Sequence, residues 1–128
     1  MGVGANIDFL GRLPRPELER RFSGAWVQCV PSIWDEPFGL VTIEAQARGT
    51  PVVASAVGAQ PEFIIPGRTG YLVAPGNPTV LASAIGDVLK DPEAADRVGD
   101  AAREAALKNF DGDSTIDRLL NEFEDIRR

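Results

Sequence analysis

Trp26-Val27-Gln28-Cys29-Val30-Pro31-Ser32-Ile33-Trp34-Asp35-Glu36-Pro37-Phe38-Gly39-Leu40-Val41-Thr42-Ile43-Glu44-Ala45-Gln46-Ala47-Arg48-Gly49-Thr50-Pro51-Val52-Val53-Ala54-Ser55 reads as strand, helix, strand. The run Trp26 to Val30 is apolar and ends at Pro31. A helix is expected from about Gly39 to Arg48, with Gly49 well placed as its C-terminal cap. Pro51 to Ser55 is nearly continuous in apolar residues, as in a parallel strand covered on both faces.

The neighbouring sequence repeats this alternation. Upstream, Ile7-Asp8-Phe9-Leu10 reads as a short strand closed by Gly11, and Pro16 to Phe22 as a helix with proline at its start. Downstream, the glycine-containing loop Val57 to Glu62 and the turn Gly67-Arg68-Thr69-Gly70 lead to a strand, Tyr71-Leu72-Val73. Asn77-Pro78 supplies a cap and a first helical residue. The helix they open carries Val80, Leu81, Ala84, Ile85, Val88 and Leu89 on one broad face. Two charged helices follow, about Pro92 to Asn109 and about Ser114 to Arg127. The fold class is therefore α/β: a Rossmann-like parallel sheet with flanking helices. Residues 1–128 read as a single domain, its β/α core spanning about 7–90 and its C-terminal helices about 92–127. Ligands of such sheets bind at the carboxyl ends of the strands.

Glu36 and Glu44 stand eight positions apart around the strand-to-helix turn. Gly39, between them, lets the backbone approach a ligand, and the free N–H groups of the first helical turn attract phosphate. A carboxylate nearby can accept two hydrogen bonds from vicinal hydroxyls. Phosphate plus a sugar diol outlines a nucleotide-sugar. Each acid also has a purely structural reading: Arg48 is four residues beyond Glu44 and could form an exposed helical pair, and Glu36 could simply sit near a helix N-terminus.

Composition excludes several other classes. The formal charge of −6 is concentrated in residues 87–128, with twelve acids against seven bases, and clustered Lys and Arg for a nucleic-acid partner are lacking. There is no histidine, which removes His-based triads and most zinc sites; a metal site is not expected. No stretch suits a membrane span, the N-terminus carries no secretory signature, and the single cysteine, Cys29, can form no internal disulfide, so a cytoplasmic location is expected. Gly2-Val3-Gly4 follows no strand and lacks a third glycine, so it is not a dinucleotide fingerprint.

Residues Glu36 to Ser55 resemble the E-x7-E region of family 4 glycosyltransferases of the GT-B fold. The likeness extends through Phe9-Leu10-Gly11-Arg12-Leu13, Val30-Pro31-Ser32, Gly58 to Glu62, Gly67 to Val73 and Pro75-Gly76-Asn77. It implies the C-terminal half of a GT-B nucleotide-sugar-binding domain. Glu36 would be the catalytic-site acid that hydrogen-bonds donor-sugar hydroxyls. The backbone amides of Phe38, Gly39 and Leu40 would hold sugar and diphosphate, and Glu44 the ribose diol. Gly11, Arg12 and Leu13 would lie against the nucleobase. No cofactor is implied; a nucleoside-diphosphate sugar is the donor substrate. Two departures stand out: Gly58-Ala59 replaces the family's double glycine, and Asp111-Gly112-Asp113 replaces its usual Ser/Thr-Trp.

The resemblance also implies missing parts. A GT-B enzyme needs two such domains, and the Arg/Lys pair that neutralises the departing diphosphate belongs to upstream sequence, as does the acceptor-binding domain. The whole enzyme would transfer a glycosyl unit with retention. Losing two charge-assisted contacts, each worth roughly 1.5–3 kcal/mol, weakens binding by about 10²–10⁴. The chain alone is thus expected to bind a nucleoside diphosphate in the millimolar range or not at all, without catalysing transfer. The missing half would leave an open sheet edge that invites pairing with a second chain, giving a homodimer or a domain swap, unless the last helix folds back over the gap with its Ile116 to Ile126 stripe. The alternatives are a non-enzymatic truncated or engineered module that self-associates, or another GT-B enzyme. A phosphorylase wants a cofactor lysine, and Lys90 and Lys108 are the only lysines; an epimerase wants a histidine.

Overall fold

The computed structural model describes residues 6–112. Helix α1 (Arg15–Phe22), strand β1 (Gln28–Val30), helix α2 (Leu40–Arg48), strand β2 (Val52–Ser55), the one-turn helix α3 (Gln60–Phe63), strand β3 (Tyr71–Val73) and helices α4 (Pro78–Lys90) and α5 (Pro92–Phe110) follow in order. Among the described residues the sheet has three strands, all parallel, in the order β1-β2-β3. Cys29 pairs with Val53 and Ala54 with Leu72, which aligns the carboxyl ends of all three strands.

Because successive strand residues point to opposite faces, β2 feeds two cores. Val52 and Ala54 pack with Val30, Ala45 and Ile64 on the side of α2, while Val53 packs with Val73, Val88 and Ala95 on the side of α4 and α5. All four residues of β2 are buried, the pattern its uninterrupted apolar run predicts. The α2 and α5 helices meet through glycines: a Cβ on Gly99 would fall onto the carbonyl oxygen of Gly49.

Helix ends follow the capping chemistry expected of the sequence. Asn77 Oδ1 accepts from the Val80 N–H at 3.1 Å, and Asp91 Oδ1 from the Ala94 N–H at 3.0 Å. Gly49 closes α2 in the left-handed region at φ 78°.

Four local expectations need correction. Ile7 to Leu10 forms no strand: it pairs with no ladder among the described residues, all four residues are exposed, and Phe9 is 95% exposed. The β1 strand starts at Gln28 rather than Trp26. Its first bond runs from the Gln28 N–H to the Pro51 carbonyl, and Pro51 has no N–H to extend the ladder further back. Cys29, on β1 at the edge of the described sheet, is exposed. Finally, Gln60 to Phe63 is helical, not loop, and on α4 the core side is Leu81, Ala84, Ile85 and Val88, with Val80 and Leu89 outward. The expected helix from Ser114 to Arg127 and the Gly2-Val3-Gly4 segment lie outside the described residues.

Candidate functional site

The loop Pro31 to Gly39 leaves the carboxyl end of β1 and delivers the chain into α2. Gly39 is the N-cap, in the left-handed region at φ 71°, and no side chain caps this helix end. The first backbone bond of the turn is from the Thr42 N–H to the Gly39 carbonyl, 3.0 Å, so the amides before it project from the helix end. Phe38 and Leu40 are exposed, and Gly39 between them is buried. The Phe38 ring stacks edge-on against Phe63 at 5.5 Å and Phe110 at 6.3 Å, a three-ring cluster that fixes the loop's far side.

A second loop, after β2, clamps the first. The Ala59 N–H donates to the Glu36 carbonyl at 3.1 Å, and the Gly58 N–H to Asp35 Oδ1 at 3.3 Å. Gly58 has φ 52°, and a Cβ there would stand 2.5 Å from both the nitrogen and the carbonyl oxygen of Glu36. Ala59 has ordinary helical angles, φ −75° and ψ −8°. Glycine is therefore demanded at the first position of the pair and not at the second, which explains why Gly58-Ala59 suffices.

The Glu36 side chain is half-buried and has two neighbours at Oε2: Gln60 Nε2 at 3.3 Å and, at the limit of a hydrogen bond, Ser32 Oγ at 3.5 Å. Gln60 is fully buried and its Oε1 accepts from the Thr42 hydroxyl at 2.7 Å. Neither Thr42 nor Gln60 was singled out by sequence. The available signal was the polar pair Thr42 and Gln46, four apart on the otherwise apolar buried face of α2.

Glu44 lies one turn beyond Leu40 on α2, half-buried. Its partner is Arg15 on α1, with Nη1 3.0 Å from Glu44 Oε1, and not Arg48. The hydrogen bond and charge of Glu44, reinforced by Glu19, push the Arg15 guanidinium further up in pKa. Arg48 turns the other way: it donates to Gln28 Oε1 at 2.9 Å, sits 3.6 Å from Glu19 and lies over the Phe22 ring at 5.0 Å. The helical-pair reading of Glu44 is thus not realised. Gly11 and Arg12 are exposed, Leu13 is half-buried, and all three immediately precede the helix that carries Arg15 to Glu44.

Between the strand ends lies a cavity of about 210 Å³, lined by Pro31, Ser55, Val73 and Asn77 among others. Among the described residues, no group of three or more Cys, Asp or Glu side chains could hold a metal ion, and no helix is long and apolar enough to cross a membrane. Desolvation by the surrounding chain pushes the thiol of the exposed Cys29 up in pKa.

Residues 1–105 match the protein family described as "Glycosyl transferases group 1". The D-inositol 3-phosphate glycosyltransferase of Mycobacterium avium is 41% identical over 120 residues, which covers 94% of this chain and 28% of that protein. The sucrose-phosphate synthase of Thermosynechococcus elongatus superposes with a TM-score of 0.86 at 39% identity, covering 97% of this chain and 31% of that one. The Anabaena protein HepE, solved with UDP, superposes with a TM-score of 0.82 at 26% identity, over 87% of this chain and 30% of its own; with UDP-glucose the TM-score is 0.79. The chain therefore spans under a third of the length of these relatives. The three-stranded parallel sheet with its helices is the Rossmann-like arrangement of the GT-B glycosyltransferases.

Proposed function

The chain belongs to the group 1 glycosyl transferases, and from that premise we propose that it is the donor-binding portion of a retaining glycosyltransferase. Its donor is a nucleoside-diphosphate sugar. The observation that carries this reading is the uncapped N-terminus of α2 at the carboxyl end of the sheet, flanked by two half-buried carboxylates. The Phe38, Gly39 and Leu40 amides meet the diphosphate and sugar, where helix-end partial charge favours an anion. Glu36 receives hydrogen bonds from donor-sugar hydroxyls. Glu44 receives them from the ribose diol, either through its second oxygen or after Arg15 swings away, an easy movement for the exposed Arg15 side chain. Gly11, Arg12 and Leu13 form the nucleobase side. The UDP and UDP-glucose complexes of HepE support UDP as the first nucleotide to try.

The relatives are about three times as long, and we assign to the remainder of such a protein the acceptor site and the cations that neutralise the departing diphosphate. In the transfer itself the anomeric carbon–oxygen bond to the diphosphate breaks, with the electron pair staying on the phosphate oxygen. The acceptor hydroxyl oxygen bonds to the same face of the anomeric carbon and passes its proton to the departing diphosphate oxygen. Helix-end amides stabilise the charge that develops on the leaving group. This chain alone binds donor in the millimolar range and does not complete transfer. No metal or cofactor is required, the enzyme acts in the cytoplasm, and the free chain pairs with a second copy along β1.

Ligand-detected NMR titrations of the 128-residue chain test the assignment. Glu44→Ala should weaken UDP and UDP-glucose alike, by about tenfold or more, as expected for loss of a charge-assisted hydrogen bond. Glu36→Ala should weaken UDP-glucose and leave UDP within about twofold. Equal binding of UDP-glucose by the wild type and Glu36→Ala would refute the assignment of Glu36.

A further inference from the structure

Glu36 sits on a loop, where a carboxylate is normally free to change rotamer, yet the reading above asks it to face a sugar in one orientation. Its orientation has a visible source. The carboxylate can only accept hydrogen bonds, so the Gln60 atom facing it at 3.3 Å must be the amide nitrogen. That places the Gln60 oxygen toward Thr42, whose hydroxyl must then donate at 2.7 Å. Both groups are fully buried, and neither has water to fall back on. The chain of donors runs one way, from the Thr42 hydroxyl through the Gln60 amide to Glu36 Oε2.

Gly39 makes room for it. A Cβ on Gly39 would stand 2.7 Å from Gln60 Nε2, so the missing side chain is space that the amide uses. The same glycine is the N-cap whose neighbouring amides face the diphosphate in the reading above. Gln60 therefore touches both halves of the site, the acid and the helix end, while its own backbone is held by the short helix α3.

We propose that Gln60, oriented by Thr42, is the positioning residue that fixes the Glu36 carboxylate for recognition of the donor sugar. It occupies Oε2, which Ser32 Oγ also approaches at 3.5 Å, and leaves Oε1 for the ligand. The inference rests on the nucleotide-sugar reading of the site, and it predicts a dependence on the sugar and not on the nucleotide.

The test uses Thr42→Val, Gln60→Met and the double variant in the 128-residue chain. Each single change strands a buried polar partner and should lower Tm. The double change replaces both by apolar groups of similar shape and should bring Tm back to near the wild-type value. If Gln60 positions Glu36, the refolded double variant still binds UDP-glucose about tenfold more weakly than wild type, in line with a lost hydrogen bond to a charged group, while UDP stays within about twofold. The side-chain amide resonances of Gln60 should also shift further with UDP-glucose than with UDP in the wild type. Wild-type affinity of the double variant for UDP-glucose would overturn the inference, as would equal weakening of both ligands. If Glu36→Ala leaves UDP-glucose binding intact, the donor-site reading itself has failed. If Glu36→Ala weakens it and the double variant does not, only the positioning role has failed.

Discussion

Gly58 and Ala59 show how one residue's backbone angle decides what a loop will tolerate. Gly58→Ala would place a Cβ at a left-handed angle and against the backbone of Glu36, so a loss of about 2–4 kcal/mol in urea unfolding is expected. Ala59→Gly should cost only about 1 kcal/mol, since Ala59 already has helical angles and gives up one buried methyl. Equal losses would contradict the claim that the first position alone needs glycine. At this scale the sequence pointed to Glu36, Gly39 and Glu44 as candidates, because a strand end, a glycine and a helix follow one another locally. Thr42 and Gln60 stayed hidden, for they lie 18 positions apart, and neither helical nor strand periodicity reports such a pair. The Glu44 to Arg48 spacing misled for a different reason. An i,i+4 pair contributes only a few tenths of a kcal/mol, and Arg48 instead gains Gln28, Glu19 and the Phe22 ring.

Elements were legible wherever they carried both a pattern and a cap. The apolar run of β2, the glycine-capped α2 and the Asn77 cap of α4 all formed as the sequence implies. The segment from Ile7 to Leu10 had the composition of a strand, yet a strand needs a partner ladder, which composition does not supply. The one-turn α3 is too short to show any period. Packing between elements is equally silent in sequence. Nothing about Gly99, in the middle of an alanine-rich helix, announces that its hydrogen meets the Gly49 carbonyl. By helix propensity alone Gly99→Ala should stabilise α5 by up to about 1 kcal/mol. Here it should instead destabilise the chain by about 1–3 kcal/mol, because α5 must move off α2. Thermal unfolding of Gly99→Ala decides the sign, and a raised Tm would mean that the α2–α5 contact is looser than described.

The described sheet has β1 at one edge, beside a groove of about 390 Å³ lined by Phe22, Val27, Cys29 and Val41 among others, with Trp26 72% exposed nearby. An unpaired parallel edge with apolar flanks is a template for another strand. Light scattering should therefore show the isolated chain self-associating as concentration rises, and Val27→Lys should reduce this; a clean monomer throughout would remove β1 as a pairing surface. Which residues line this edge was not legible in the sequence, because the ladder begins at Gln28 and not at Trp26. The central claim is that a nucleotide-sugar binds where α2 begins. An amide-resolved NMR titration of the 128-residue chain with millimolar UDP-glucose tests it most directly. Saturable shifts at Phe38, Gly39, Leu40 and Glu44 are the predicted result, and shifts confined to other surfaces, or none at all, would contradict it.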